Sequence, residues 1–356
     1  IGRSVAMSDD GRTIVIGIPD VDSQSGIAYV YISNGIEWLV QAALNPRPGA
    51  GARIGARVAI SVDGNTVALS GHSDIGQGGA WIYTRNGAVW TLQANLTSPD
   101  SPVLSQSLRL ALNGPGNTFV ASGDSTNNGL LIWTRSGNVW SIKETALGSG
   151  AFSNNQISQI DISNDEAVIV ASSTGFGAII YRLINGTWTA DGPNLMTFYT
   201  PMVASAQFGT YCCISADGNT VAVSDPGDNP TYGATFIFKY VAGAWSQNAA
   251  LSFNTPITPS NQGSTILLLR NGDRCIVTST SYVLLPTRIG SYWEFNYNGV
   301  SWTGIPGNSP ICTEFGTSIS GQRTGVIFAI GAPNTSYPGG RMIGTVAVYA
   351  RAGSSY

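Results

Sequence analysis

Residues 54–96 open with Ile54-Gly-Ala-Arg-Val-Ala-Ile-Ser-Val-Asp-Gly-Asn-Thr-Val-Ala-Leu-Ser70 and end with Ala80-Trp-Ile-Tyr-Thr-Arg-Asn-Gly-Ala-Val-Trp-Thr-Leu-Gln-Ala-Asn-Leu96. Four short runs rich in β-branched, aromatic and small apolar residues are punctuated by Asp63-Gly64 and Asn86-Gly87. That punctuation describes antiparallel strands joined by tight turns. Asx-Gly pairs favour two-residue hairpins in which both central residues take positive φ. A helix would need an apolar period near 3.6 over ten or more residues, and no segment has one.

The same pattern recurs along the chain. The first run returns as Ile1-Gly-Arg-Ser-Val-Ala-Met-Ser8, Phe208-Gly-Thr-Tyr-Cys-Cys-Ile-Ser215 and Phe315-Gly-Thr-Ser-Ile-Ser320. Turns return at Asp10-Gly11, Asp217-Gly218 and Asn271-Gly272, and again at Asn34-Gly35, Asn185-Gly186 and Asn298-Gly299. The fourth run carries a tryptophan at Trp38, Trp90, Trp140, Trp188, Trp245 and Trp302, spaced 48 to 57 residues apart. A seventh copy closes the chain, because Tyr349-Ala-Arg-Ala-Gly-Ser-Ser-Tyr356 lies over Tyr83-Thr-Arg-Asn-Gly-Ala-Val-Trp90. Repeats of about 50 residues with four strands each define propeller blades, which bury both faces only when stacked in a ring. The expected fold is therefore all-β: one seven-bladed β-propeller over residues 1–356. Its blades fall near 1–45, 52–97, 105–147, 153–196, 206–252, 262–306 and 313–356. The fourth and sixth are the most degenerate. Tyr356 stands in the tryptophan slot that opens a fourth strand, so the last blade is expected to be incomplete and the ring to close by packing blade on blade.

The Phe-Gly pairs at Phe208-Gly209 and Phe315-Gly316, and Gly331-Ala332-Pro333 with its variant Gly17-Ile18-Pro19, give this repeat a resemblance to the FG-GAP family, the repeats of the integrin α-subunit head. The resemblance runs the length of the chain and implies the propeller fold and a place among secreted, cell-surface or viral surface proteins. It also implies a calcium loop between the first two strands, with carboxylates at alternate positions. Here that loop is Ser61-Val-Asp-Gly-Asn-Thr66 or Ser215-Ala-Asp-Gly-Asn-Thr220, one carboxylate per turn. Asp9-Asp10 is the one doubled case. These loops read as turns, and no metal or other cofactor is expected.

Composition narrows the function classes. Only 10% of residues are charged, the formal net charge is −3, and all but two of the 17 basic residues are arginine, the exceptions being Lys143 and Lys239. A nucleic-acid binder should carry a basic face, so nucleic acid is not an expected partner. No apolar run approaches the 18 residues of a membrane helix, so membrane insertion is not expected either. With 43% hydrophobic residues the chain is far from disordered composition. Cys212, Cys213, Cys275 and Cys312 are too few for a disulfide framework and read as buried thiols.

Catalytic constellations are missing from the sequence. The single histidine, His72, has Ser73 and Asp74 beside it, but sequence neighbours rarely converge as a triad does. Asp20, Asp22, Asp74, Asp124, Asp225 and Asp228 fall between second and third strands, where propeller loops share one face of the ring. They read as solvated turn formers or, more sharply, as an acidic mouth, with Arg288 and Arg341 in longer loops giving that face a basic side. Tyr199, Tyr232, Tyr282 and Tyr337 are loop aromatics suited to contacts. The repeated tryptophans read as packing between outer strands, and Trp81, Trp133 and Trp293 as core. Asn95, Asn185 and Asn334 head glycosylation sequons.

These features favour a non-enzymatic binding or scaffold propeller, displayed on a cell, secreted or on a virion, that meets a protein or carbohydrate partner through the loops joining strands two to three and four to one. A structural component of a virus particle or surface layer is the rival reading. A glycoside hydrolase or lyase using paired carboxylates is the third. Oligomeric state is open.

Overall fold

The computed structural model describes residues 1–46, 51–72, 78–96, 109–122, 129–148, 151–152, 156–198, 207–228, 233–253, 261–269, 271–284, 287–307, 315–322, 326–333 and 344–350. These form seven antiparallel sheets, six of four strands and one of three, each ordered as the chain runs. Consecutive strands pair as hairpins, the simplest connection available to them. Among the described residues helix is confined to one 3-10 turn, Leu195–Phe198.

The seven first strands stand side by side in a closed ring: Ser4–Met7, Val58–Ile60, Leu110–Leu112, Gln159–Ile162, Cys212–Ile214, Ile266–Leu269 and Ser318–Gly321. Ser4–Met7 touches both Val58–Ile60 and Ser318–Gly321, which closes the circle. The expected seven-bladed propeller, with a last blade lacking its outer strand among the described residues, is what the chain forms. Polar side chains tie first strands across blades. Val58 N donates to Ser4 Oγ at 2.9 Å, Ile214 N to Asp161 Oδ2 at 2.9 Å, and Met7 N to Ser320 Oγ at 3.0 Å.

The core is divided among the interfaces between blades. Val15 and Val30 of blade one pack with Val58, Val67 and Trp81 of blade two, and Val170 and Ile180 of blade four pack with Cys212 and Phe236 of blade five. A second strand is therefore covered on both faces, and all six residues of Thr13–Ile18 are buried. Cys212 and Cys213, adjacent on one strand, enter different clusters on opposite faces. Cys212, Cys213 and Cys275 are buried free thiols, and Cys312 lies outside the described residues.

The glycines behind the family resemblance meet across a blade boundary. A Cβ on Gly17 would stand 2.0 Å from the carbonyl oxygen of Gly55, and one on Gly331 would stand 2.2 Å from that of Gly2. Gly55 also has φ of +82°, a conformation L side chains rarely adopt. The "FG" glycine of one blade thus lies on the "GAP" glycine of the blade before it, backbone against backbone.

The turns differ from expectation. In the Asp10-Gly11, Asp63-Gly64 and Asp217-Gly218 turns only the glycine has positive φ. Gly11, Gly64 and Gly218 each donate to the carbonyl of a serine three residues back, making a longer turn than the expected two-residue hairpin. The Asp side chain explains the change. Asp63 accepts from Ser61 Oγ and Asn65 N, while Ser61 Oγ accepts from Thr66 N. Ser8 with Asp10, Ser163 with Asp165 and Ser215 with Asp217 repeat the device. Of the Asn-Gly pairs, Asn185-Gly186 has both residues at positive φ, whereas Asn34 and Asn298 use their side chains to accept from the backbone two and three residues on.

Each outer strand of blades one, two, three and five carries a bulge at one register position, leaving Gln41, Gln93, Lys143 and Asn248 as the extra residue. A bulge re-aims the side chain it carries. Here the amide reaches the tryptophan of the next blade: Trp90 Nε1 donates to Gln41 Oε1 at 2.8 Å, Trp140 Nε1 to Gln93 Oε1 at 2.9 Å, and Trp302 Nε1 to Asn248 Oδ1 at 3.2 Å. Trp245 finds Asp191 instead. Arg85 and Arg135 lie over the rings of Trp90 and Trp140 and donate to the same two glutamines. Trp90, Trp140, Trp245 and Trp302 thus reach the outer segment of the blade before, as their recurrence predicts, and Trp81, Trp133 and Trp293 are core.

Candidate functional site

The expected contact face is the one carrying the loops from second to third strands and from fourth strands to the next blade. Asp20 is exposed there and pairs with Arg53 of the following blade at 3.1 Å. Asp22 is exposed at positive φ, and its carbonyl accepts from Ser25. Asp228 is half-buried, and its carbonyl accepts from Gly233 N. These residues shape loops in the way Asx turns do.

Two expectations for this face need correction, the loop placement of Asp225 and that of Arg288 and Tyr282. Asp225 is not a solvated loop acid: it ends the strand Thr220–Asp225, is fully buried, and accepts from Gly227 N at 3.1 Å. Arg288 and Tyr282 do not sit in a loop. They belong to one long hairpin, Arg274–Leu284 with Thr287–Tyr297, whose strands run eleven residues each. His72 ends the strand Thr66–His72, paired with Gly78. Asp74, Asp124, Tyr199, Tyr232, Tyr337, Arg341 and the sequon residue Asn334 lie outside the described residues. Asn95 is exposed on an outer strand and Asn185 in an exposed turn.

The structure instead points to residues that stand immediately before the first strands. Arg3, Arg57, Arg109 and Tyr211 each precede an innermost strand, which puts all four at the loop-face end of the central channel. Their backbones are pinned: Arg57 N donates to Ser70 Oγ, Arg109 N to Ser122 Oγ, and Tyr211 N to Ser224 Oγ. The side chains have fewer partners. Among the described residues the Arg57 guanidinium makes one long hydrogen bond, 3.4 Å to the Ala56 carbonyl, and Arg109 Nε is buried with no partner. Burial lowers the Arg57 pKa, the nearby Tyr211 opposes that shift, and Arg3 adds to it as a second positive charge. Burial likewise pushes the Tyr211 hydroxyl above its ordinary value, with Arg57 pulling the other way. A desolvated cationic group beside another cation is an anion-binding arrangement.

Below this mouth the channel encloses about 190 Å³, lined by residues of all seven first strands. Among the described residues the carboxylate inside the ring is Asp161, which accepts from Ile162 N and Ile214 N at 2.9 Å and so ties two first strands together. The opposite rim, at Asp9, Val62 and Asn113-Gly114, is closed by the turns already described. Asp10, Asp63, Asp165 and Asp217 on that side accept hydrogen bonds within their own turns.

Comparison with the models of known protein families and with curated proteins finds no match to this chain. The fold, a propeller compatible with a non-enzymatic binding or scaffold role, is what bears on function.

Proposed function

We propose that this is a non-enzymatic binding propeller of the FG-GAP kind, working outside the cytosol on a cell, secreted or virion surface. It meets its partner, a glycan or a protein, through the face on which the loops between second and third strands lie. The observation that carries the reading is the mouth built by Arg3, Arg57, Arg109 and Tyr211, whose cationic side chains are under-partnered while the carboxylates of the opposite face are engaged in their own turns. Such a mouth suits an acidic group on the partner, a uronic or sialic acid or an acidic side chain. A glycan array with the purified chain, repeated with Arg57→Gln, tests it. Saturable binding to acidic glycans, lost in Arg57→Gln and unchanged by calcium chelation, is the expected result. Absence of binding to any glycan or acidic peptide sinks the reading.

A further inference from the structure

The mouth and the channel beneath it differ in sign. Arg57 belongs to blade two and Tyr211 to blade five, on opposite sides of the ring, yet the charge of Arg57 acts on the Tyr211 hydroxyl and that of Arg3 acts on Arg57. The Arg57 guanidinium therefore reaches over the opening instead of lying along its own blade. Beneath it no described lining residue is basic, and the charged ones are Asp9 and Asp161. Asp161 stands two residues before Ser163, whereas Arg57 stands four before Ser61, the matching serine of its own turn. At about 3.3 Å per residue, Asp161 lies roughly 7 Å below the mouth. An ionised carboxylate only accepts hydrogen bonds. The wall adds acceptors of its own. Each first strand is paired on one edge, to the second strand of its blade, so its other edge turns backbone groups to the channel. On that edge the amides of Met7, Val58 and Ile214 already donate to Ser320, Ser4 and Asp161, so at these positions carbonyl oxygens are what the edge presents.

We infer that the mouth takes the terminal uronic acid of a glycan end on, with its carboxylate on Arg57 and the Tyr211 hydroxyl and its ring hydroxyls pointing down the channel to Asp161 and the strand edges. The inference rests on the binding reading above and narrows its partner to one class. A uronic acid fits the division of donors and acceptors, because its carboxylate carbon and its linkage carbon both adjoin the ring oxygen while its free hydroxyls lie on the far side. With the ring oxygen uppermost, the acid meets the arginine and the rest of the glycan leaves through the mouth. The hydroxyls then face acceptors contributed from all round the ring. A peptide matches this wall less well, since behind its carboxylate it carries one amide donor per residue on an extended chain. The channel's volume of about 190 Å³ is below the roughly 300–1,000 Å³ of pockets that take drug-sized ligands, so one sugar ring enters and not a longer chain. Within a polymer the hydroxyl opposite the linkage is itself substituted, and the far rim is closed by the turns, so an internal residue has no way to thread the channel.

The probes are two synthetic trisaccharides, one with glucuronic acid at its non-reducing end and an isomer with the same residue in the middle. Each is titrated calorimetrically into the 356-residue chain. The terminal form should bind saturably at a single site, and the internal isomer about tenfold more weakly or worse, having lost several hydrogen bonds. Methyl esterification of the terminal acid should also cost about tenfold or more, the worth of a hydrogen bond to a charged group. That cost should vanish in Arg57→Gln protein, a coupling that a merely structural role for Arg57 would not produce. Tyr211→Phe should weaken binding about fivefold, one net hydrogen bond. Comparing the two isomers needs no variant, so it decides even where a variant folds poorly. Equal binding of the isomers, or an ester that binds as well as the acid, overturns the inference and leaves the binding propeller in place. Saturable binding of a hexaglutamate peptide with neither trisaccharide bound does the same. Failure of every acidic glycan and peptide to bind removes the binding reading itself, and this inference with it.

Discussion

Replacing Gly17 with alanine tests whether the blade boundaries are set by backbone contact. Gly17 lies in the strand Thr13–Ile18 with an ordinary φ, so alanine there should by itself stabilise the fold by about 0.4–1 kcal/mol through the unfolded chain. The contact reverses that sign. The new Cβ would stand 2.0 Å from Gly55 O, 2.9 Å from Gly55 C and 3.1 Å from Gly55 Cα. An ordinary carbon–oxygen approach is no shorter than about 3.3 Å, so the two backbones must part by more than an ångström. Gly55 cannot give way alone, because its N donates to Ser70 O at 2.9 Å within its own blade. Overpacking of this kind costs about 3 kcal/mol, which leaves a net loss of about 2 kcal/mol. Urea unfolding followed by tryptophan fluorescence should show a lower midpoint with an unchanged slope. Gly35→Ala is the control: φ is +91° and nothing lies within 4 Å, so it should cost only backbone strain, about 1 kcal/mol. A midpoint for Gly17→Ala at or above that of the unsubstituted protein would refute the contact argument.

Other consequences are checked with the same unfolding measurement or simple chemistry. Gln41→Leu removes the acceptor shared by Trp90 Nε1 and Arg85 and should cost about 1–2 kcal/mol, with Gln41→Glu recovering most of it. Cys212, Cys213 and Cys275 are buried with their thiols pushed far up by desolvation, so a thiol reagent at neutral pH should modify them only at the rate of unfolding. Burial pushes the Asp63 carboxyl upward, but hydrogen bonds from Ser61 and Asn65 outweigh it and hold the group below its usual range. Its contribution is therefore present above the unfolded-state value of about 3.9 and is lost as pH falls through the lower folded value, so the deficit of Asp63→Ala should shrink in that window. Glu166 has the opposite sign: burial raises it, with Lys143 opposing, so Glu166→Gln should stabilise at neutral pH by an amount that disappears as pH falls through the raised folded value toward the unfolded one.

The number of blades and their strand order were legible because they rest on local signals, strand runs and turn glycines, that recur every fifty or so residues. Turn geometry was misread where a side chain competes with the backbone: the serine two before each Asp rebuilds the turn around the carboxylate. Asp225 reads as a loop acid because it stands directly before Pro226-Gly227, while the structure extends the second strand to include it and buries it. Arg288 looked like a loop residue because nothing near it marks strands of eleven residues. The mouth residues were within reach. Arg57, Arg109 and Tyr211 stand four residues before Ser61, Asn113 and Ser215, the residues that open the turn in each blade. Aligning copies on that residue stacks the side chains that ring the channel, and two of seven positions then carry arginine.

The two ends of the ring use their polar groups differently, and this difference supports the proposed binding face. On the turn face, serine and aspartate satisfy backbone amides blade after blade, and backbone bonds from Asp9 to Val62, Val62 to Gly114 and Asn164 to Ala216 stitch neighbouring turns together. Polar groups already paired have little to gain from a ligand, since binding would only exchange one hydrogen bond for another. On the loop face the balance is reversed. Serines pin the backbones of Arg57, Arg109 and Tyr211, leaving the charged ends of the arginines under-partnered around an opening that belongs to no single blade. On the proposed reading, a ligand there would pair groups whose desolvation the fold has already borne, so affinity would come from the scaffold's preorganisation rather than from loop rearrangement. The blades are interchangeable in architecture, and on the proposed reading specificity would reside in the few positions where they differ.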